Sequence, residues 1–159
     1  MSVTTQSEAA RIAGQLRRAF DGEAWHGDSL FEILKGVTAE RAAARPMKNA
    51  HTIWELVLHI AAWDGDVRRR LDGVAVTLTD AENFPPVKDT SEAAWAKAVA
   101  EVRLAHEELM AAVSALPDSR LYEVVPDKEG AHYTFYYMLH GVVQHELYHA
   151  GQIALLKKM

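Results

Sequence analysis

The chain has 159 residues, of which 49% are hydrophobic and 25% charged, and its formal net charge is −5. This length and balance predict one globular domain over residues 1–159, with a hydrophobic core, rather than a disordered chain. The acidic balance argues against nucleic acid as the main partner, since phosphate binding needs clustered Lys and Arg, and the absence of cysteine excludes disulfides, Cys-ligated zinc and a cysteine nucleophile.

The first predicted element is helical. Apolar residues at helical spacing predict one long helix over residues 5–36, broken or kinked around residues 22–27, where glycines interrupt the pattern. Thr5 and Glu8 have the spacing of a capping box at its start. One further helical turn is predicted at residues 38–44.

The second helix has clear signals at both ends. Thr52 and Glu55 have capping-box spacing, a strong apolar stripe follows, and Gly73 is placed to end the helix. Residues 74–90 are predicted to be a long connection because Pro85 and Pro86 interrupt any pattern there. Connections of that length are uncommon unless they cross the end of a bundle or line a site.

Two more helices complete the prediction. The third runs over residues 91–116 and the fourth over residues 133–157, with a second loop at residues 118–131. Four amphipathic helices joined by long loops favour an all-α fold, a four-helix bundle. Bundles of this kind build metal sites in the core from side chains on facing helices.

The fourth helix carries His145 and His149, four residues apart. At about 100° per residue, the two imidazoles lie about 40° apart on one face of a helix and can fill adjacent positions around a metal ion. His59 lies beside the buried stripe of the second helix. A buried imidazole without a partner costs about 1–3 kcal/mol, and one ion shared by all three histidines would avoid that cost. Alternatively, each is a core histidine hydrogen-bonded to a carbonyl or hydroxyl group.

The remaining histidines are expected to lie outside this site. His106 stands beside two glutamates on a charged face and is predicted to be solvated. His140 is turned about 140° from His145 around the helix. His51 and His132 lie in predicted loops, where a surface position is expected.

Three segments carry a family resemblance: residues 20–27, residues 51–63 and residues 140–153, the last reading HGVVQHELYHAGQI. They resemble the DinB/YfiT-like superfamily, the DNA-damage-inducible helical family rather than the polymerase that shares the name. The resemblance extends from about residue 8 to residue 157 of this sequence. It implies a four-helix bundle in an up-down-down-up arrangement with long crossover loops.

The resemblance also implies a three-histidine site for a divalent metal, with one ligand on the second helix and two on the fourth. Matched residue by residue, those ligands fall on His59, His145 and His149, the trio that the spacing selects. Three neutral imidazoles leave the ion its full charge and at least one open position, as in catalytic sites. Zinc or nickel suits such ligands best.

The activity implied by the resemblance is open. Relatives include thiol-dependent S-transferases that use bacillithiol, a mycothiol-dependent maleylpyruvate isomerase and proteins described as metal-dependent hydrolases. A divalent ion lowers the pKa of bound water to about 7 and would also deprotonate a bound thiol. In a chain without cysteine, that thiol would be a low-molecular-weight cofactor. We therefore expect a DinB-like metal-dependent transferase or hydrolase with a small-molecule substrate. The alternative is a non-catalytic metal- or ligand-binding stress-response module.

Supporting residues around the site have two interpretations each. Gln152 could hydrogen-bond a ligand or water, or be a polar residue near the end of the bundle. Trp25 and Trp63 could line a pocket or belong to the core. His26, beside the predicted helix break, is the candidate for a polar group that contacts substrate. Glu55 could orient an imidazole, although capping already explains it, and no catalytic acid or base is assigned.

Location and partners follow from weaker signals. The polar N-terminus has no apolar run of the kind found in secretory signals, and no window approaches 18 apolar residues. We therefore expect a cytoplasmic protein with no membrane partner. The resemblance implies a homodimer, because relatives are commonly dimers.

Overall fold

The structure, a computed structural model, describes residues 6–128, 130 and 132–159. Over these residues the chain is all-helical, and its extended segments form only two isolated β-bridges. No helix in the described part is long and apolar enough to cross a membrane. The helices are α1 (Glu8–Asp21), α2 (Leu30–Leu34), α3 (Ala39–Ala43), α4 (Ile53–Leu71), α5 (Asp80–Asn83), α6 (Glu92–Ser114), a 3-10 helix (Asp118–Tyr122) and α7 (Phe135–Lys158).

The first predicted helix, expected to be broken or kinked around residues 22–27, is broken there into two helices. The backbone of Gly22 is extended at the end of α1, and α2 does not begin until Leu30. The Glu32 carboxylate accepts the backbone N–H of Ser29 at 2.8 Å, which fixes a new helix start. The interruption at residues 22–27 is therefore a helix end followed by a separate start.

The start of α1 also differs from the prediction. Thr5 lies outside the described residues, and the cap is Ser7, whose side chain accepts the backbone N–H of Ala10 at 3.2 Å. Serine is a strong N-cap residue because its oxygen satisfies an amide that has no partner within the helix.

The prediction for α4 is confirmed at both ends. Thr52 and Glu55 form the capping box, and Gly73 has a φ of 87°, the left-handed conformation that glycine adopts readily after a helix. The following connection was predicted without structure, yet it contains α5. That short helix begins with its own capping box, formed by Thr79 and Glu82.

The four long helices α1, α4, α6 and α7 pack around the core. α4 contacts both α6 and α7, and α1 contacts the same two helices. Their apolar side chains form two clusters at different levels of α4, α6 and α7. The up-down-down-up order of the helices stays a prediction.

Candidate metal centre

The side chains of His59, His145 and His149 meet between α4 and α7; we call them the histidine triad. Nε2 of His145 lies 3.0 Å from Nε2 of His59 and 3.1 Å from Nε2 of His149. His59 and His149 are buried and His145 is half-buried. Three ring nitrogens from two helices therefore point at one place.

The other ring nitrogens of His59 and His149 are held by acceptors. Nδ1–H of His59 donates to the backbone carbonyl of Asn83 at 2.8 Å. Nδ1–H of His149 donates to Oε1 of Gln152 at 2.6 Å. A proton held at Nδ1 leaves Nε2 with a free lone pair, which is how metal-ligating histidines are usually oriented.

Hydrogen bonds within the triad cannot satisfy the lone pairs of all its Nε2 atoms. Since Nε2 of His59 and of His149 are both acceptors, one proton on Nε2 of His145 can serve only one of them. If His145 instead carries its proton on Nδ1, three lone pairs face one another, and that Nδ1 is buried with no partner in the described part of the chain. A shared cation would satisfy all three lone pairs, so the residues present fit a divalent metal.

Electrostatics keep the triad neutral. Burial, followed by the nearby His149 and His59, lowers the pKa of His145 to about 3. Burial likewise lowers the pKa of His59 and that of His149 below the ordinary histidine value. All three imidazoles are therefore uncharged near neutral pH, as metal ligands must be.

A cavity of about 400 Å³ opens beside the triad. Its walls are mainly aromatic and aliphatic, and among the described residues that line it none is Asp, Glu, Lys or Arg. Besides the triad it is lined by Trp63, Val67, Asn83, Tyr133, Tyr137, Met138, Gly141, Val142 and Tyr148. A molecule of small-substrate size could thus reach the triad through apolar surroundings.

A family model described as the DinB superfamily matches residues 24–153. The chain belongs to the DinB superfamily. This confirms the family predicted from the sequence, and the matched range contains the whole triad. Searches of curated proteins and of solved structures found no match.

In this DinB-superfamily chain, α5 and the residue after it support His59 in a way that the sequence did not reveal. The ring of Phe84 lies parallel to that of His59, with centroids 4.1 Å apart, and parallel to that of His51 on its other side, at 3.8 Å. Together with the Asn83 carbonyl, this stack fixes the His59 ring. The capping box of α5 was the available signal, but a four-residue helix has no readable apolar period.

Two of the predicted supporting residues lie at the site. Trp63 lines the cavity, and its Nε1–H donates to Oδ1 of Asn83 at 2.9 Å. Gln152 contacts His149 directly, as described above. Their roles as substrate-contacting or ligand-orienting residues stay predictions.

The other two candidates lie elsewhere. His26 lines a separate cavity with Trp25, against α1 and α7, and is not among the residues lining the triad cavity. Trp25 is fully exposed. Glu55 accepts the backbone N–H of Thr52 and an N–H of Arg45 rather than contacting His59. A helix break was visible in the sequence, but its position relative to the triad was not.

The prediction that His106 is solvated is wrong. Its side chain is buried, while the neighbouring Glu107 and Glu108 are exposed on the other side of α6. Nδ1–H of His106 donates to Oε1 of Glu146 at 2.9 Å. The misleading signal was the pair of adjacent acidic residues, since neighbours in a helical sequence point about 100° apart.

Proposed function

We propose that this chain is a divalent-metal-dependent enzyme whose cation is held by His59, His145 and His149. The observation that carries the proposal is that three Nε2 atoms meet on the wall of a cavity of about 400 Å³. Nε2 of His145 lies 3.0 Å from Nε2 of His59 and 3.1 Å from Nε2 of His149. Three protein ligands leave room for a further group on the ion, and the cavity supplies the route for it. Zinc and nickel are the proposed metals, because both accept imidazole nitrogen.

The reaction we propose is thiol-dependent S-transfer, with hydrolysis as the related alternative. A divalent cation at the triad would supply Lewis acidity that lowers the pKa of a thiol or water. The chain's own residues orient the ligands: the Asn83 carbonyl holds His59, and Gln152 holds His149. The thiol would be a low-molecular-weight cofactor, because the chain has no cysteine.

The cavity lining indicates the substrate class. Trp63, Tyr137 and Tyr148 supply aromatic surface next to the triad, and the described lining residues include no charged side chain. Burying a charge without a partner is costly. The part of the electrophile inside the cavity is therefore neutral and apolar or aromatic, and the charged parts of a thiol cofactor would remain at the mouth.

The first test measures metal content. Metal content of purified wild-type protein is compared with that of His59→Ala and His149→Ala, and His132→Ala, an exposed histidine, serves as the control. We expect each triad variant to lose about one equivalent of zinc or nickel, while the control keeps the wild-type content. Equal metal content in all four proteins would overturn the proposal.

The second test concerns the reaction. Conjugation of several low-molecular-weight thiols to monochlorobimane is followed with and without Zn²⁺, in wild type and in His149→Ala. We expect metal-dependent turnover in wild type only. Bound metal with no turnover of any thiol or of neutral ester substrates would favour the non-catalytic metal- or ligand-binding stress-response module instead.

The proposal includes the assembly and the helix order. We propose a homodimer of up-down-down-up four-helix bundles acting on a small-molecule substrate. Apolar side chains on the surface of α7 are compatible with pairing, since Tyr148 is 66% exposed and Leu155 is 67% exposed. Light scattering of the purified protein would test the dimer, and a monomer mass at micromolar concentration would contradict it.

A further inference from the structure

A second group of metal-ligating side chains lies in the core of the protein. Asp64 on α4, His106 on α6 and Glu146 on α7 have relative exposures of 0%, 3% and 0%. We propose that these three residues, the buried cluster, form a second divalent-cation site, which is distinct from the histidine triad. The site would lie inside the core and would connect three helices.

The geometry of the buried cluster suits a single ion. Nδ1 of His106 lies 2.9 Å from Oε1 of Glu146 and 3.7 Å from Oδ2 of Asp64. One ligand atom from each residue lies within 4.8 Å of the other two. Ions with bonds of about 2.0–2.2 Å to nitrogen and oxygen place neighbouring ligand atoms about 3–3.5 Å apart, so small side-chain movements would complete the coordination.

The carboxylate oxygens of the buried cluster lack partners in the described part of the chain. Both oxygens of Asp64 and Oε2 of Glu146 are buried without a hydrogen bond. Among the described residues, the bond from His106 to Oε1 of Glu146 is the one hydrogen bond of regular geometry to these four oxygens, and the Asp64 and Glu146 carboxyl groups lie close enough to share a proton. Two buried carboxylates that are not neutralised would be strongly destabilising. One divalent cation would neutralise both, in place of the proton on His106, whose pKa is raised to about 9 by Asp64 and Glu146 against the effect of its own burial.

The buried cluster lies at the level of the core where the two apolar clusters meet. On each of its three helices, the polar residue stands between members of the two apolar clusters. Asp64 lies between Ile60 and Val67, and His106 lies between Val102 and Leu109. The ring of Phe20 stacks on His106, with centroids 3.7 Å apart and planes 4° apart, which holds the imidazole in place.

The donor set defines the class of ion. Two carboxylates and one imidazole suit Zn²⁺, Mn²⁺ or Fe²⁺, and the hard oxygen ligands distinguish the buried cluster from the all-nitrogen triad. The competing occupants are protons: burial raises the pKa of Glu146 to about 8 and also raises the pKa of Asp64. A cluster held only by shared protons is therefore the outcome that would overturn the proposal.

The test uses a background in which the triad is disabled. Full-length His59→Ala/His149→Ala protein is produced with excess Zn²⁺ or Mn²⁺, because a buried site loads as the chain folds, and is then dialysed and assayed for metal. We expect about one equivalent to remain, against about two in wild type. Adding Asp64→Asn should remove it. The matched control, Asp66→Asn, changes another fully buried carboxylate on α4 and should keep it.

Two outcomes would overturn the second site. His59→Ala/His149→Ala protein that is folded by circular dichroism but holds no metal overturns the second site on its own. Metal that survives both Asp64→Asn and His106→Gln would overturn it equally. The histidine-triad proposal is judged separately, by the equivalent that is lost between wild type and the triad-disabled protein.

Discussion

Replacing Gln152 should weaken metal binding at the triad without unfolding the protein. Oε1 of Gln152 accepts Nδ1–H of His149 at 2.6 Å, and Gln152 itself is only half-buried. In Gln152→Ala the imidazole keeps its place on α7 but loses the acceptor that fixes its proton on Nδ1. The ring can then turn or change tautomer, which places a proton on the nitrogen that faces His145.

The size of the effect follows from that one contact. A neutral hydrogen bond contributes about 0.5–1.5 kcal/mol net. Losing the acceptor of a metal-ligating histidine typically weakens metal affinity by about 10–100-fold, or about 1.4–2.7 kcal/mol. Gln152→Glu keeps an acceptor and adds negative charge beside the ring, so its affinity should be equal to or greater than that of wild type.

The assay is competition for Zn²⁺ against a chromophoric chelator of known affinity, with free metal buffered. Gln144→Ala changes an exposed glutamine on the same helix and is the matched control. Unfolding in urea checks that all variants are folded. An affinity of Gln152→Ala within twofold of the control would refute the view that Gln152 orients a ligand.

Three further predictions follow from other contacts. Arg70→Ala should lower the free energy of unfolding in urea by about 3–5 kcal/mol, because it leaves Asp66 buried without its partner at 2.7 Å. Arg68→Ala removes an ion pair whose side chains are 41% and 52% exposed, and should lower it by less than about 1 kcal/mol. Metal-free wild type, compared with His145→Leu, should lose stability as pH falls from about 6.5 toward about 3, since burial lowers the folded-state pKa of His145 to about 3; an opposite slope in urea unfolding would contradict this. Ni²⁺ binding should quench the fluorescence of Trp63, whose ring lies 5.8 Å from that of His145, and Trp63→Phe should remove most of the quench in a titration.

Segments with a long, regular apolar pattern could be predicted from the sequence. α4 was predicted to within a residue because its start has a capping box, its middle has a continuous apolar stripe and its end has a glycine with positive φ. The close approach of His145 and His149 followed from their spacing on a helix. Bringing His59 to them required the packing of α4 against α7, which the family resemblance implied.

The missed contacts involve signals that sequence patterns carry weakly. The acceptor for His59 is the backbone carbonyl of Asn83, and a backbone group has no signature of its own. His106 was misjudged from its neighbours, although its spacing from Val102 and Leu109 places it on their buried face. Helical phase was the better guide, and the same test applied to Asp64 between Ile60 and Val67 would have found a second buried polar position.

α4 and α7 each contribute to both the histidine triad and the buried cluster, and this links the two structurally. Consecutive residues of a helix point about 100° apart, so α7 presents His145 to the cavity and Glu146 to the core. On α4, His59 and Asp64 are five residues and about 140° apart and face the same two places, whereas α6 contributes only His106. A slide of α4 along α7 would separate His59 from His145 and Asp64 from Glu146 together. A cation held by the buried cluster would therefore help to fix the helix register on which the convergence of the triad depends, although the two groups share no residue.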